Sequence, residues 1–244
     1  MSKTGSVRLG QRTYSSRSLH GQVVHELGKR IVSGTIAEGQ VLPNETELGA
    51  EFKVSRTALR EGIKVLTAKG LLASRTRTGT RVRPRNEWNM LDPDILAWRL
   101  DVGVINGFVR DLFEFRKAVE PVAASLAALR AKPEDMDRLN QAYKDMVNAD
   151  ESAEPDIEID LRFHQAILGA CGNELMAPMS SLIETALTYC VDMASPEHRR
   201  ASVPEHKTVL DAIASGDAEG AHAAMSDLLQ MSIDRHLALQ TSGG

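Results

Sequence analysis

Two sets of residues in this 244-residue chain have types and spacings that can do chemistry. In "DLRFHQAI", Asp160 and His164 stand four apart. On a helix they share one face, the spacing at which a carboxylate and an imidazole can hold a single divalent metal ion, Zn or similar. His206 opens a later helical pattern, "EHKTVLDAI", that can return beside them. Histidines buried for structural reasons fit the same spacing, and spacing alone leaves both readings open. Arg116 interrupts the apolar run "LFEFRKAVEP" among Phe113, Phe115, Val119 and Val122. A guanidinium turned inward there requires an anion, either a bound ligand or Glu120. The second set lies in "VSRTALREGIKVLTAKGLL", residues 54–72. Leu59, Ile63 and Leu66 form one stripe of a helix, and Arg56 and Arg60 share another face. Ser55 can cap the first turn, which places both arginines where free backbone N–H groups favour anions. That end suits phosphates or base edges, and a solvated face carrying two charges is the plainer alternative.

The elements around the arginines narrow the choice. "HGQVVHELGKRIVSG" carries Val23, Val24, Leu27, Ile31 and Val32 at helical spacing, and Gly34 ends it. "TIAEGQVLP" reads as a loop. In "NETELGAEF", Asn44 can cap a helix whose first turn holds Glu45 and Glu47. After Gly70, "LLASRTRTGTRVRP" predicts two short strands around Thr78 and Gly79, with Arg75, Arg77, Arg81 and Arg83 alternating onto one face. Three helices followed by an arginine-faced hairpin are the plan of a winged helix-turn-helix, whose recognition helix enters the major groove while the wing touches backbone or minor groove.

Charge supports that division. Residues 1–88 hold sixteen Lys and Arg against seven Glu and no Asp, a net of +9, whereas residues 89–244 hold thirteen against twenty-six, a net of −13. A small basic domain joined to a larger acidic one suits a nucleic-acid reader with a separate sensing body. Aromatic residues make up only 4% of the chain and Ala, Leu, Glu and Arg abound, so the expected fold is mostly α. From residue 106 onward amphipathic helices are expected over 106–131, 134–149, 155–171, 173–193, 204–214 and 217–239, an all-α helical bundle able to hold a site among facing helices. The expected organisation is a flexible extension over 1–19, the winged domain over 20–84, a linker over 85–105 and the helical effector-binding and oligomerisation domain over 106–244. In the linker Asp92 and Pro93 start a helix, and Trp88 and Trp98 supply anchoring surface. Cys171 and Cys190 form no CxxC pair and are expected as buried thiols. No apolar run approaches the roughly 18 residues of a membrane helix, so a cytoplasmic protein with no membrane partner is expected.

The segment "LPNETELGAEFKVSRTALREGIKVLTAKGLLASRTRTGTRV" resembles the DNA-binding domain of the GntR family of bacterial transcription regulators. The resemblance covers about residues 20–83, and its P-x-E-x-x-L, recognition-helix and R-x-G-T wing motifs occur in order. It implies that Arg56 and Arg60 contact bases and phosphates, that Thr57 adds a polar contact, and that Thr76 to Gly79, including Arg77, form the wing tip. Thr46 stands where some members carry an operator-reading arginine, so the operator sequence does not transfer. Residues 106–244 resemble the ligand-sensing (FCD) domain of the FadR-type subgroup, and "RPRNEWNMLDPDILAWRL" is similar to the linker of members that sense sugar acids. Members of this subgroup often bind a divalent metal through an Asp-x-x-x-His pair and two further histidines. Asp160, His164 and His206 match three of those positions, and Leu228 falls at the fourth; His222, six residues earlier, lies on a different helical face. The resemblance therefore implies either a three-ligand metal completed by water or effector, or a metal-free pocket in which Asp160, His164 and His206 contact the effector directly. It also implies that Arg116 points into the effector pocket and meets a carboxylate.

Taken together, these readings predict a ligand-responsive repressor of a sugar-acid operon (galactonate-like aldonate or uronate), with lactate or a dicarboxylate as the alternative effector. A metal-dependent hydrolase is the competing class, but the chain has no HExxH, nucleophile elbow or phosphate loop. A constitutive architectural DNA binder would leave the acidic helical body without a role. One winged helix reads only a short half-site, so a homodimer on a palindromic operator is expected.

Overall fold

In a computed structural model, residues 18–75, 79–103, 107–149, 157–193 and 202–242 are described, the side chains of 75, 157, 188–193 and 236–242 excepted. The chain divides into two compact units, Met1–Ile105 and Asn106–Gly244. Most of the expected N-terminal extension, the wing residues Thr76, Arg77 and Thr78, and the side chain of Cys190 lie outside the described residues.

In the N-terminal unit, α1 (Leu19–Val32), α2 (Glu45–Phe52) and α3 (Arg56–Ala68) precede the strands β1 (Leu72–Arg75) and β2 (Gly79–Val82). Each helix begins as its sequence requires: Ser18, Asn44 and Ser55 accept hydrogen bonds from first-turn amides, and Asn44 and Glu47 form a reciprocal capping box. Leu59 and Leu66 are fully buried against Val23, Val24, Leu27 and Ile31, and Ile63 packs on the same cluster. The two strands pair antiparallel, Leu72 opposite Val82 and Arg75 opposite Gly79. The segment read as a loop contributes to this sheet. Val41 bridges to Arg81, and Leu42 and Gln40 exchange backbone hydrogen bonds of 2.8 and 2.9 Å with Thr80 and Val82.

The expected linker has more structure than a connection. A 3-10 turn (Arg85–Glu87) leads to α4 (Pro93–Asp101), with Asp92 capping and Pro93 in the first turn. Ile95 and Trp98 join the N-terminal core, and Trp98 Nε1 donates to His25 Nδ1 at 3.0 Å. Gly28 makes room for this, because a Cβ there would lie 2.4 Å from the Trp98 ring. Gly70, at φ +79°, lets β1 begin where a Cβ would meet the Glu87 carbonyl at 2.7 Å. Lys69, at the end of α3, is buried and holds both Asp92 oxygens at 2.9 Å and Asp94 at 2.5 Å. Ionic and aromatic contacts thus fasten α4 to the N-terminal unit, so residues 85–103 belong to that unit.

The C-terminal unit contains α5 (Phe108–Arg130), α6 (Pro133–Val147), α7 (Ile157–Ala170), α8 (Ser180–Met193), α9 (Val203–Ala214) and α10 (Ala218–Ser242). The expected helix over 173–193 starts only at Ser180; a separate 3-10 turn (Ala177–Met179) precedes it, with Pro178 unable to donate a helical hydrogen bond. Ala123, Ala124 and Ala127 give α5 a small-residue face against which Phe163, Ile167, Val209, Met225, Leu228 and Leu229 pack. Small side chains let α7, α9 and α10 approach closely, and burial of each large apolar side chain stabilises the unit by roughly 1.5–3 kcal/mol. Cys171 is a buried free thiol, as expected.

Candidate functional site

The C-terminal unit brings Arg116 and Glu120 of α5, Asp160 and His164 of α7, and His206 of α9 into one cluster, buried except for Asp160, whose side chain is 30% exposed. Helical spacing accounts for two of these pairings, Arg116 with Glu120 and Asp160 with His164, each four apart. The packing of α5 against α7 and α9 brings the rest together. Arg116 Nε donates to Glu120 Oε1 at 2.5 Å, and the other Glu120 oxygen contacts His164 Nδ1. His164 Nε2 lies 3.9 Å from Asp160 Oδ1 and 3.4 Å from an Arg116 terminal nitrogen. His206 Nε2 lies 3.0 Å from the same Asp160 oxygen. Phe163 stands edge-on to both imidazoles and supplies an apolar wall.

The protonation pattern of this cluster follows from its contacts. His206 Nδ1 lies 2.7 Å from the Ser202 carbonyl, which can only accept, so Nδ1 carries the proton. His164 Nδ1 faces the Glu120 carboxylate in the same sense. Both rings therefore direct Nε2 toward Asp160, and despite its proximity to that carboxylate His206 Nε2 has no hydrogen-bond partner among the described residues. Two lone pairs and an anion converge, an arrangement that a cation satisfies. One ligand atom from each of Asp160, His164 and His206 lies within 4.8 Å of the others, and the donor set of two imidazoles and a carboxylate fits a divalent transition metal. Glu120 and the Ser202 carbonyl would then act behind the ligands, fixing each ring and its tautomer.

Without an ion, the same contacts favour a proton shared between His206 and Asp160, which a bound cation would displace. Burial alone would push the Glu120 carboxyl up, but Arg116 and His164 outweigh it and pull it down to about 2. Burial opposes ionisation of Asp160 as well, yet His206, His164 and Arg116 hold it below the usual carboxylate range. Desolvation works against a charged His206, and the adjacent Asp160 reverses this and raises it above an ordinary histidine. Leu228 is buried in the apolar core, and His222 is exposed, so neither adds a ligand. Arg116 is not waiting for an external anion alone: its pairing with Glu120 is the internal partner that the sequence offered. The link from Glu120 to His164 was not visible in the sequence, because it joins positions 44 residues apart through helix packing.

The N-terminal unit presents a different surface. Arg56, Thr57 and Arg60 are exposed on the first turns of α3, and Thr46 is exposed on α2. Arg60 Nε donates to both oxygens of Glu45, at 2.9 and 3.0 Å, and this contact lowers the Glu45 carboxyl below its ordinary value. Gly79 is exposed at the start of β2 with φ +80°. Of the wing arginines whose side chains are described, Arg81 donates to the Gly39 carbonyl and Arg83 to Glu87.

Two family models match the chain in the order of its two units. Residues 19–82 match the model described as bacterial regulatory proteins, gntR family, and residues 111–231 match the FCD domain. The chain is 33% identical over 217 residues to the galactonate operon transcriptional repressor of Escherichia coli (strain K12), covering 88% of this chain and 95% of that protein. The chain belongs to the gntR family of bacterial regulatory proteins. A second relative, the HTH-type transcriptional regulator LutR of Bacillus subtilis (strain 168), is 31% identical over 204 residues, covering 80% of this chain and 90% of that protein. Among solved structures, Lar, which controls expression of the Listeria monocytogenes agr system, superposes with a TM-score of 0.61 at 20% identity over 90% of this chain and 97% of its own, a likeness of fold. This gntR-family chain is a DNA-binding transcription regulator and not an enzyme, and the Asp/His/His cluster lies within the stretch that matches the FCD domain. No helix among the described residues is long and apolar enough to cross a membrane.

Proposed function

We propose that this regulator is a homodimeric repressor of a sugar-acid catabolic operon, released from or held on a palindromic operator by a small carboxylate bound in the FCD domain. The observation that carries this reading is the cluster of Arg116, Glu120, Asp160, His164 and His206, all buried but for the partly exposed Asp160, in the half of the chain that does not read DNA. A guanidinium and a cation site in one apolar-walled cluster suit a ligand bearing a carboxylate with a neighbouring hydroxyl, the common feature of aldonic, uronic and 2-hydroxy acids. The likeness to the galactonate operon repressor ranks aldonates and uronates ahead of lactate or a dicarboxylate. Asp160, His164 and His206 would hold one divalent ion, which supplies a Lewis-acidic site for ligand oxygens, while Arg116 orients the carboxylate. Arg56, Thr57, Arg60 and Thr46, with Arg77 and Gly79 of the wing, would form the DNA-reading surface. A thermal-shift screen of the full chain against galactonate, gluconate, galacturonate and lactate tests the reading. A ligand at about 100 times its Kd stabilises the protein by about 2.7 kcal/mol. The same acid should change the affinity of the protein for a duplex selected from a random library. Failure of all four acids to shift either quantity would remove the sugar-acid assignment.

A further inference from the structure

We infer that Glu45 is a positioning residue for DNA reading: it grips Arg60 by Nε, so that the two terminal amino groups of the guanidinium are presented, already oriented, to a base edge. The inference rests on the assignment of α3 as the recognition helix and adds a residue from the preceding helix to its reading surface.

Both Glu45 oxygens accept from Arg60 Nε, at 2.9 and 3.0 Å, and the other two guanidinium nitrogens make no hydrogen bond to the described residues. The backbone that carries Glu45 is itself held. The residue sits in the first turn of α2, where the Asn44–Glu47 capping box holds the backbone and where a negative charge is favoured. The Arg60 side chain is 64% exposed and that of Glu45 40%, so the pair adds little to stability. Its consequence is geometric. A free arginine must give up rotamer freedom when it meets a base, and one already held loses less. Guanine presents N7 and O6 side by side in the major groove, which two parallel N–H groups from one guanidinium match. Arg56, one turn earlier on the same face, has no ion pair among the described residues and is suited to follow the phosphates. The Glu45 carboxylate also repels backbone phosphates wherever Arg60 fails to find its base, so the same group that orients Arg60 disfavours unrelated sequences.

The test selects binding sites from a randomised duplex library with the full-length wild type and with Glu45→Ala, Glu45→Gln and Arg60→Ala variants, followed by titration on the selected and on random duplex. The wild type should enrich a half-site with a guanine preference that Arg60→Ala erases. Glu45→Ala should weaken the same position and lower affinity for the selected duplex about tenfold, within what one bidentate base contact contributes. Its affinity for random duplex should hold or rise. Glu45→Gln, which keeps an acceptor for Nε, should retain part of the preference, and Glu45→Ala combined with Arg60→Ala should read as Arg60→Ala alone. A Glu45→Ala protein that keeps the full preference, or that loses affinity equally on selected and random duplex, overturns the inference while leaving the recognition helix in place. A wild type that enriches no sequence removes the DNA-reading assignment of α3, and the inference with it.

Discussion

Replacing Lys69 by Met should destabilise the N-terminal unit severely, and the structure sets the size of the effect. The Lys69 side chain is 4% exposed, and its ammonium faces Asp92, 11% exposed, and Asp94, 2% exposed. Removing the cation leaves two carboxylates buried side by side. Breaking a buried ion pair by deleting one partner costs about 3–5 kcal/mol, because the remaining charge keeps its desolvation penalty and loses its compensation. Asp92 retains amide donors at Asp94 and Ile95, at 2.9 and 3.4 Å, which places the expected loss near the lower end, about 3 kcal/mol. For a unit of this size each kcal/mol lowers Tm by roughly 4–8 °C, so a fall of about 12–24 °C is expected.

The assay is built into the sequence. The two tryptophans of the chain, Trp88 and Trp98, both lie in this unit and are buried. Their fluorescence during urea or thermal unfolding of the full protein reports on the DNA-reading half alone. Adding Asp92→Asn and Asp94→Asn to Lys69→Met should recover most of the loss, because a neutral set carries no stranded charge. A loss below about 1 kcal/mol in the single variant, or no recovery in the triple, would refute the reasoning, since either result means that the three groups are not energetically coupled.

Gly28→Ala should lower the tryptophan-reported stability by about 1–3 kcal/mol or more, because its Cβ would fall 2.4 Å from the Trp98 ring and α4 would have to move off α1; an unchanged unfolding midpoint would show that the ring shifts freely. Arg116→Lys keeps the charge beside Glu120 but loses the planar fork. It should therefore leave duplex binding near wild type and reduce the response to a carboxylate by an order of magnitude (~1.4 kcal/mol), and a full response at saturation would make Arg116 a structural partner of Glu120 only.

What the sequence disclosed and what it withheld follow from the range of the interactions. Helix starts at Asn44, Ser55 and Asp92 were legible because capping is local, and the stripe of Leu59, Ile63 and Leu66 because a helical period determines its own buried face. The i, i+4 pairs were legible for the same reason. Three features were not. Residues 40–42 join the wing sheet through backbone bonds, which no side-chain pattern encodes. Gly28 and Gly62 allow α4 and α3 to close on α1, and a glycine inside a helical pattern reads only as a weak helix former until its neighbour is known. The attachment of α4 to the reading unit depends on Lys69 meeting Asp92 and Asp94 across more than twenty residues. A span with Asp92-Pro93 and two tryptophans between two periodic segments reads as a connector, whereas its contacts make it part of a core.

The charge of the C-terminal cluster leads to the last prediction. With both imidazoles neutral, Arg116, Glu120 and Asp160 sum to −1, and protonating His206 brings the total only to zero. A carboxylate entering such a site meets no net attraction, and Arg116 is already shared with Glu120. One divalent ion held by Asp160, His164 and His206 turns the same cluster to +1 with neutral rings, which an anionic ligand complements. Anion and cation binding should then be linked, each strengthening the other by the same factor. Purified protein dialysed without chelator should carry at most one divalent ion per chain by elemental analysis, and His164→Ala or His206→Ala should remove it. Stripping the ion should weaken binding of the responsive sugar acid by about tenfold or more, and readdition should restore it. Equal affinity in the stripped and loaded protein would show that the histidines meet the ligand directly, with Leu228 marking a site that has dispensed with the ion.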